Sequence, residues 1–203
     1  MLLSFFEEFM KSFKNILFVI LFINILQAQA KKPVILIAYQ SISGNTKAMA
    51  EAVYEGASSI EGVEVKLLKT KDAEREDILA ADAVIVGSPV YNANITPAVQ
   101  RFINKWPFKN SPMKNKIGAA FVTAGGISAG EELALMNILH SMLIYNMIVI
   151  GGPVWESAFG ASAVTEEGPF APKEDEKKLR SLFIKKGKAL GKRTALLALK
   201  LNN

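Results

Sequence analysis

Along most of this chain, short unbroken apolar runs alternate with stretches whose apolar residues recur every three or four positions. VILIAY (34–39), AVIVG (83–87), IGAAFVT (117–123) and MIVIGG (147–152) hold few polar side chains, as strands buried on both faces do. VEVKLLK (63–69) is more polar and reads as a more exposed strand. Helical spacing fills the intervals. A helix is expected over about 45–59, with Met49, Val53 and Ile60 near one face, and a short helix and turn within 71–82. Another spans 97–105, with proline at its first position, where the missing N–H is harmless. A fourth covers 131–145, with Leu135, Leu139 and Met142 on one side. After an irregular Gly/Pro/Ala-rich segment at 153–172, a long helix over 173–201 carries the stripe Leu179, Phe183, Leu190, Thr194 and Leu197. Strand and helix in alternation imply a parallel sheet covered on both faces, most economically a doubly wound sheet of five strands. No internal repeat or second domain is visible.

The first 30 residues break this pattern. From Met10, two lysines precede an apolar run over 16–26, followed by Ala28-Gln29-Ala30. A basic start, an apolar core and an A-x-A site make a secretory signal peptide. The run is shorter than the roughly 20 residues a membrane span needs. The expectation is therefore a Sec-type leader cleaved after Ala30, translation starting at Met10, and an exported mature domain of residues 31–203. An uncleaved N-terminal membrane anchor is the alternative.

Composition narrows the chemistry. The chain has 203 residues and no cysteine, which excludes disulfides, thiolate metal sites and a catalytic cysteine. Its one histidine, His140, argues against a histidine-rich metal site and reads as a structural helix position. The formal charge of +5 gathers in the last helix, the pattern of a solvated helix face. No basic–aromatic interleaving suits nucleic acid.

In an open α/β sheet, ligands bind beyond the carboxyl ends of the strands. Three loops stand there. In SISGNT (41–46), hydroxyls and backbone N–H groups meet a helix start, an anion site that needs no basic side chain. It is neither a Walker loop nor a G-x-G-x-x-G turn. An ordinary helix cap would use the same residue types. GSPVYNANITP (87–97) sets a proline and an aromatic beside amides, which suits a flat heteroaromatic ring. A plain surface loop is the alternative. TAGGISAGEE (123–132) frees its backbone to approach a ring that becomes anionic on reduction. A mobile glycine hinge would look the same. Together, a phosphate cradle and two backbone-rich loops fit FMN.

SISGNTKAMAEAV, AVIVGSPVYNANITPAVQRFIN, AAFVTAGGISAGEELALMNILHSMLIYNMIVIGG and FGASAV with the final helix resemble the flavodoxin-like superfamily, and within it the WrbA-type NAD(P)H:quinone oxidoreductases. The resemblance spans most of residues 33–197. It implies an α/β fold with strand order 2-1-3-4-5 and helices on both faces, non-covalent FMN, and NAD(P)H or another donor reducing a quinone-type acceptor. It also implies a homo-oligomer, dimer or tetramer, and the leader adds an expected contact with a membrane surface or a redox protein. Carried over, Ser41, Ser43, Gly44, Asn45 and Thr46 would bind phosphate. Pro89, Val90, Tyr91, Asn92 and Asn94 would line the ring. Thr123, Ala124, Gly125, Gly126 and Gly130 would cover its other edge. No side chain is expected to be catalytic, since the flavin carries the chemistry. The alternatives are a flavodoxin-type electron carrier and a flavin-free binding module.

Overall fold

The computed structural model describes residues 6, 9–16, 18, 31–176 and 178–202. The chain divides between Lys32 and Pro33. Of the N-terminal unit, residues 9–16 are helical. The expected cleavage site and most of the apolar leader lie outside the described residues. Among the described residues, no helix is long and apolar enough to cross a membrane.

The described residues from 33 to 202 form a parallel α/β sheet. Its strands are β1 (Val34–Tyr39), β2 (Glu64–Lys69), β3 (Ala83–Pro89), β4 (Ile117–Ala124), β5 (Ile148–Val149) and β6 (Ala161–Val164). The helices are α1 (Asn45–Ser58), α2 (Arg75–Ala80), α3 (Pro97–Asn104), α4 (Glu131–Ile144) and α5 (Ser181–Asn202). The sheet order is β2-β1-β3-β4-β5, with β6 also paired to β4. The apolar runs behave as their composition demands. Every residue of β1, β3 and β4 is buried, whereas the edge strand β2 is exposed at both ends.

Side chains alternate across the sheet with the strand period of two. Ile35, Ile37, Ile85, Ala119 and Phe121 face α1 and α5, packing with Met49, Val53, Leu190 and Ala195. Leu36, Val84, Val86, Ala120 and Val122 face the other helices, packing with Ile78, Val99, Phe102, Ile138 and Met142. Helices α1 and α5 meet through glycines. A Cβ on Gly191 would stand 2.0 Å from the Val53 carbonyl oxygen, and one on Gly56 2.0 Å from that of Lys188. The two backbones touch where any side chain would force them apart.

Two elements differ from the sequence expectation. The last strand is not one segment over 147–152. Ile148–Val149 pairs with Ile117 and Gly118 at the start of β4, and Ala161–Val164 pairs with Phe121–Ala124 at its end. Residues 150–160 form an excursion between them, with a 3-10 turn at Trp155–Ser157. Gly151 and Gly152 permit this return: a Cβ on them would lie 1.7 Å from the Ala158 oxygen and 2.0 Å from Ser157 Oγ. The fifth sheet position is thus filled twice, and the 2-1-3-4-5 order stands. The last helix starts at Ser181, not near 173. The polar stretch before it has nothing apolar to bury until Leu179. Glu176 then accepts the Ser181 N–H at 2.6 Å and the Lys173 N–H at 3.1 Å, which satisfies a donor that an α-helix leaves open at its start. Smaller shifts are confined to element ends, with the short helix at Arg75–Ala80 occupying the middle of the expected 71–82 segment.

Candidate functional site

The first loop leaves β1 and enters α1 through Gly44, whose φ of 97° is left-handed. Ser41 fixes the turn: its Oγ accepts the N–H of Gly44 and of Lys47, each at 3.2 Å. The glycine brings no capping side chain, and α1 has no acidic residue in its first turn. Ser41 thus takes the capping role at the positive end of the helix that Gly44 has no side chain to fill. Thr46 is buried, and its hydroxyl shares a 2.8 Å hydrogen bond with that of Thr123 at the end of β4. Just upstream, burial is the main cause pushing the Tyr39 phenol above its ordinary value, while Lys47 pulls it down.

The second loop is shorter than the sequence suggested, because β3 continues through Pro89, which lies in register with Thr123. Buried Ser88 closes the loop's ends, its Oγ accepting the Thr96 N–H at 3.1 Å. Between them Tyr91 and Asn94 exchange two backbone hydrogen bonds of 3.0 Å. Asn92 and Ala93 have φ of 49° and 58°, the signature of a mirror-image hairpin turn. Asn94 is occupied structurally. Its Oδ1 accepts the N–H of Ile95 at 3.0 Å and the Nδ2–H of Asn137 at 2.7 Å.

The third loop ends at Gly130, with φ of 95°. A Cβ there would lie 2.4 Å from the Ala93 Cα, so the second and third loops touch backbone to backbone. Ile127 donates its N–H to Glu167 Oε2 at 2.7 Å. Gly126 lies against the same carboxylate, 2.4 Å from where its Cβ would be.

These loops converge on a cavity of about 200 Å³ lined by Ser43, Asn45, Pro89, Val90, Tyr91, Thr123, Ala124, Gly125, Thr165 and Glu166. Eight of the residues expected from the sequence therefore share one cavity. The other seven do different work. Ser41 holds the first loop, Gly44 faces a neighbouring groove, and Thr46 lies beneath the cavity. Asn92 and Asn94 build the hairpin turn, while Gly126 and Gly130 make close contacts at the loop's outer side. Thr165 and Glu166 escaped the sequence reading. They follow β6, and Thr165 donates both its N–H and its hydroxyl to the Ala124 carbonyl, at 2.9 and 3.1 Å. The run ASAV was the available signal, had it been taken as a strand whose end should also face the ligand. Each loop also exposes one large apolar side chain: Ile42 is 70%, Tyr91 49% and Ile127 49% exposed.

The family model for NADPH-dependent FMN reductase matches residues 73–162. The chain is 38% identical over 122 residues to a flavodoxin of Aquifex aeolicus, spanning 58% of this chain and 64% of that protein. It is 32% identical over 124 residues to a flavodoxin of Clostridium saccharobutylicum, spanning 61% and 74%. An NAD(P)H dehydrogenase (quinone) of Geotalea daltonii is 25% identical over 181 residues, spanning 70% and 88%. Among solved structures, a WrbA-like flavodoxin from Agrobacterium tumefaciens shares the fold, with a TM-score of 0.65, 20% identity, and 83% and 98% of the two chains covered. With the same strand order and a helix opened on an anion-ready loop, the chain belongs to the flavodoxin-like superfamily of FMN-binding oxidoreductases.

Proposed function

We propose that this protein is an FMN-dependent oxidoreductase that passes two electrons from NAD(P)H, or another donor, to a quinone-type acceptor. The observation that carries this reading is the convergence of the loops after β1, β3 and β4 on one cavity. The residues present suit the cofactor. The start of α1, where the cap residue Gly44 carries no side chain, would offer its remaining N–H groups to a phosphate, and Ser43 and Asn45 add polar side chains beside it. Pro89, Val90 and Tyr91 would hold one side of the ring, and Thr123, Ala124 and Gly125 the backbone-rich other side. When bound, FMN supplies the electron chemistry.

The chain's own residues supply position. The Thr46–Thr123 hydrogen bond locks the phosphate loop to the end of β4, so both ends of one ligand are set by a single rigid strand. The Gly130–Ala93 contact holds the second and third loops at a fixed spacing. Ile42, Tyr91 and Ile127 give the loops an apolar rim against which a planar acceptor can pack while water is excluded. The quinone dehydrogenase relatives, similar over 181 residues, support this acceptor class. A flavodoxin-type electron carrier is the second reading, favoured by the two flavodoxin relatives.

Titration with FMN tests the cofactor: saturable quenching of flavin fluorescence at one FMN per chain is expected, and its absence ends the oxidoreductase reading. Steady-state turnover of NAD(P)H with a quinone then separates enzyme from carrier, because a carrier shows none. Export by the leader belongs to the same proposal. N-terminal sequencing should find the mature protein starting at Lys31, whereas an intact residue 1–30 segment would show an anchor.

A further inference from the structure

We propose that the outer face of α5, together with the turn at Trp155 beside it, docks on bilayers that carry anionic phospholipid. This does not depend on the flavin reading.

The helix α5 carries six basic residues and no acidic one. Its inner side is core, with Leu190, Thr194 and Ala198 fully buried. At the helical period, Lys185, Ala189, Lys192 and Leu196 fall together on the other side. Both lysines are exposed, and Leu196 is 49% exposed. The excursion between β5 and β6 lies along this face. Lys186 donates to the Glu156 carbonyl at 3.0 Å, and Arg193 to that of Gly151 at 3.2 Å. These bonds hold the excursion to the helix and leave Trp155 85% and Val154 52% exposed. Between Pro153 and the helix runs a groove of about 530 Å³, lined by Ala189, Leu196 and Leu197 with Lys192 and Arg193.

A purely solvated face would need only the lysines. Here exposed apolar groups interleave with uncompensated cations. Lys188 pairs with Glu55 at 2.6 Å. Among the described residues, Lys185 and Lys192 pair with no carboxylate. With the Lys188 pair taken as neutral and Glu156 set against the rest, the helix and the excursion keep four positive charges. That charge disfavours a symmetric contact with a second copy, in which the face would meet itself. The complementary surface is anionic and has an apolar layer beneath. Phospholipid headgroups attract the lysines, and tryptophan settles where headgroups meet acyl chains.

The full-length protein reports this contact itself. Its two tryptophans are Trp106, 3% exposed, and Trp155, 85% exposed, so a change of emission on vesicles comes from Trp155. Vesicles mixing phosphatidylglycerol with phosphatidylcholine should shift the emission to the blue, and high salt should reverse the shift. Phosphatidylcholine alone should give none, and W155F should abolish it. The double variant K185Q/K192Q should bind the mixed vesicles roughly twentyfold more weakly, about fivefold for each lysine. All three side chains are exposed, so these variants keep the fold. Residues 1–30 are common to every variant, so differences between them belong to this face. Vesicle binding without the blue shift overturns the proposal, as does a shift that persists in W155F or is equal on phosphatidylcholine alone. So does K185Q/K192Q binding as tightly as wild type. The same shift with soluble polyglutamate would assign the face to an acidic protein instead, and the lipid proposal would fall.

Discussion

The hydroxyls of Thr46 and Thr123, 77 residues apart in sequence, share a 2.8 Å hydrogen bond beneath the candidate site. Both residues are buried, so removing one hydroxyl deprives the other of its protein partner. Thr46→Val should lower stability by about 1 kcal/mol by orphaning Thr123, and weaken FMN roughly tenfold. Thr123→Val should cost a similar amount. A double-mutant cycle, read by urea denaturation and FMN titration, should show the two effects strongly non-additive. Fully additive losses would mean that the hydroxyls act separately.

Ala93 occupies a left-handed position that suits glycine. Its φ of 58° follows Asn92 at 49°, and Asn-Gly is the favoured pair for such a turn. Ala93→Gly should stabilise the folded protein by about 1 kcal/mol and raise the melting temperature by a few degrees. The opposite change at its neighbour, Gly130→Ala, should destabilise and loosen FMN, because the added methyl meets the Ala93 backbone. Calorimetry on the pair checks both signs.

The helix contact makes a prediction remote from the site. Gly191→Ala puts a methyl 2.0 Å from the Val53 carbonyl oxygen, where only backbone can move. A loss of about 1–3 kcal/mol is expected from overpacking. Chemical denaturation measures it, and an unchanged midpoint would show that α1 and α5 separate freely.

The turn before α5 should respond to acid. Glu176 is held below the ordinary glutamate value, first by the Lys173 N–H and then by the Ser181 N–H. A depressed carboxylate stabilises the folded state above its unfolded value, and that contribution disappears as pH falls through the folded value. The loss should fall in the acid range below the usual glutamate titration. Glu176→Gln should flatten that part of the stability–pH curve, lowering stability at neutral pH and changing little in strong acid, where Glu176 is already protonated.

Some of this molecule is written locally. The runs at 34–39, 83–87 and 117–123 are so continuously apolar that they read as doubly covered strands, and SISGNT after the first puts hydroxyls and a glycine at a helix start. The split fifth strand was not legible in the same way. Met147–Gly152 and Ala161–Val164 both look like short apolar pieces, and only their registers on β4 show that they share one sheet position. Thr165 and Glu166 were missed for that reason.

The sequence by itself determined the alternating α/β plan, the strands that must be buried, and the three loops with glycine, hydroxyl and amide groups at strand ends. Those features follow from side-chain period, apolar continuity and backbone permissiveness, which act within a few residues. Tertiary structure alone decided which of those groups share a cavity and which bond to one another instead. Such contacts depend on strand register and on how closely two glycine-faced helices pack, and neither is encoded in any local pattern.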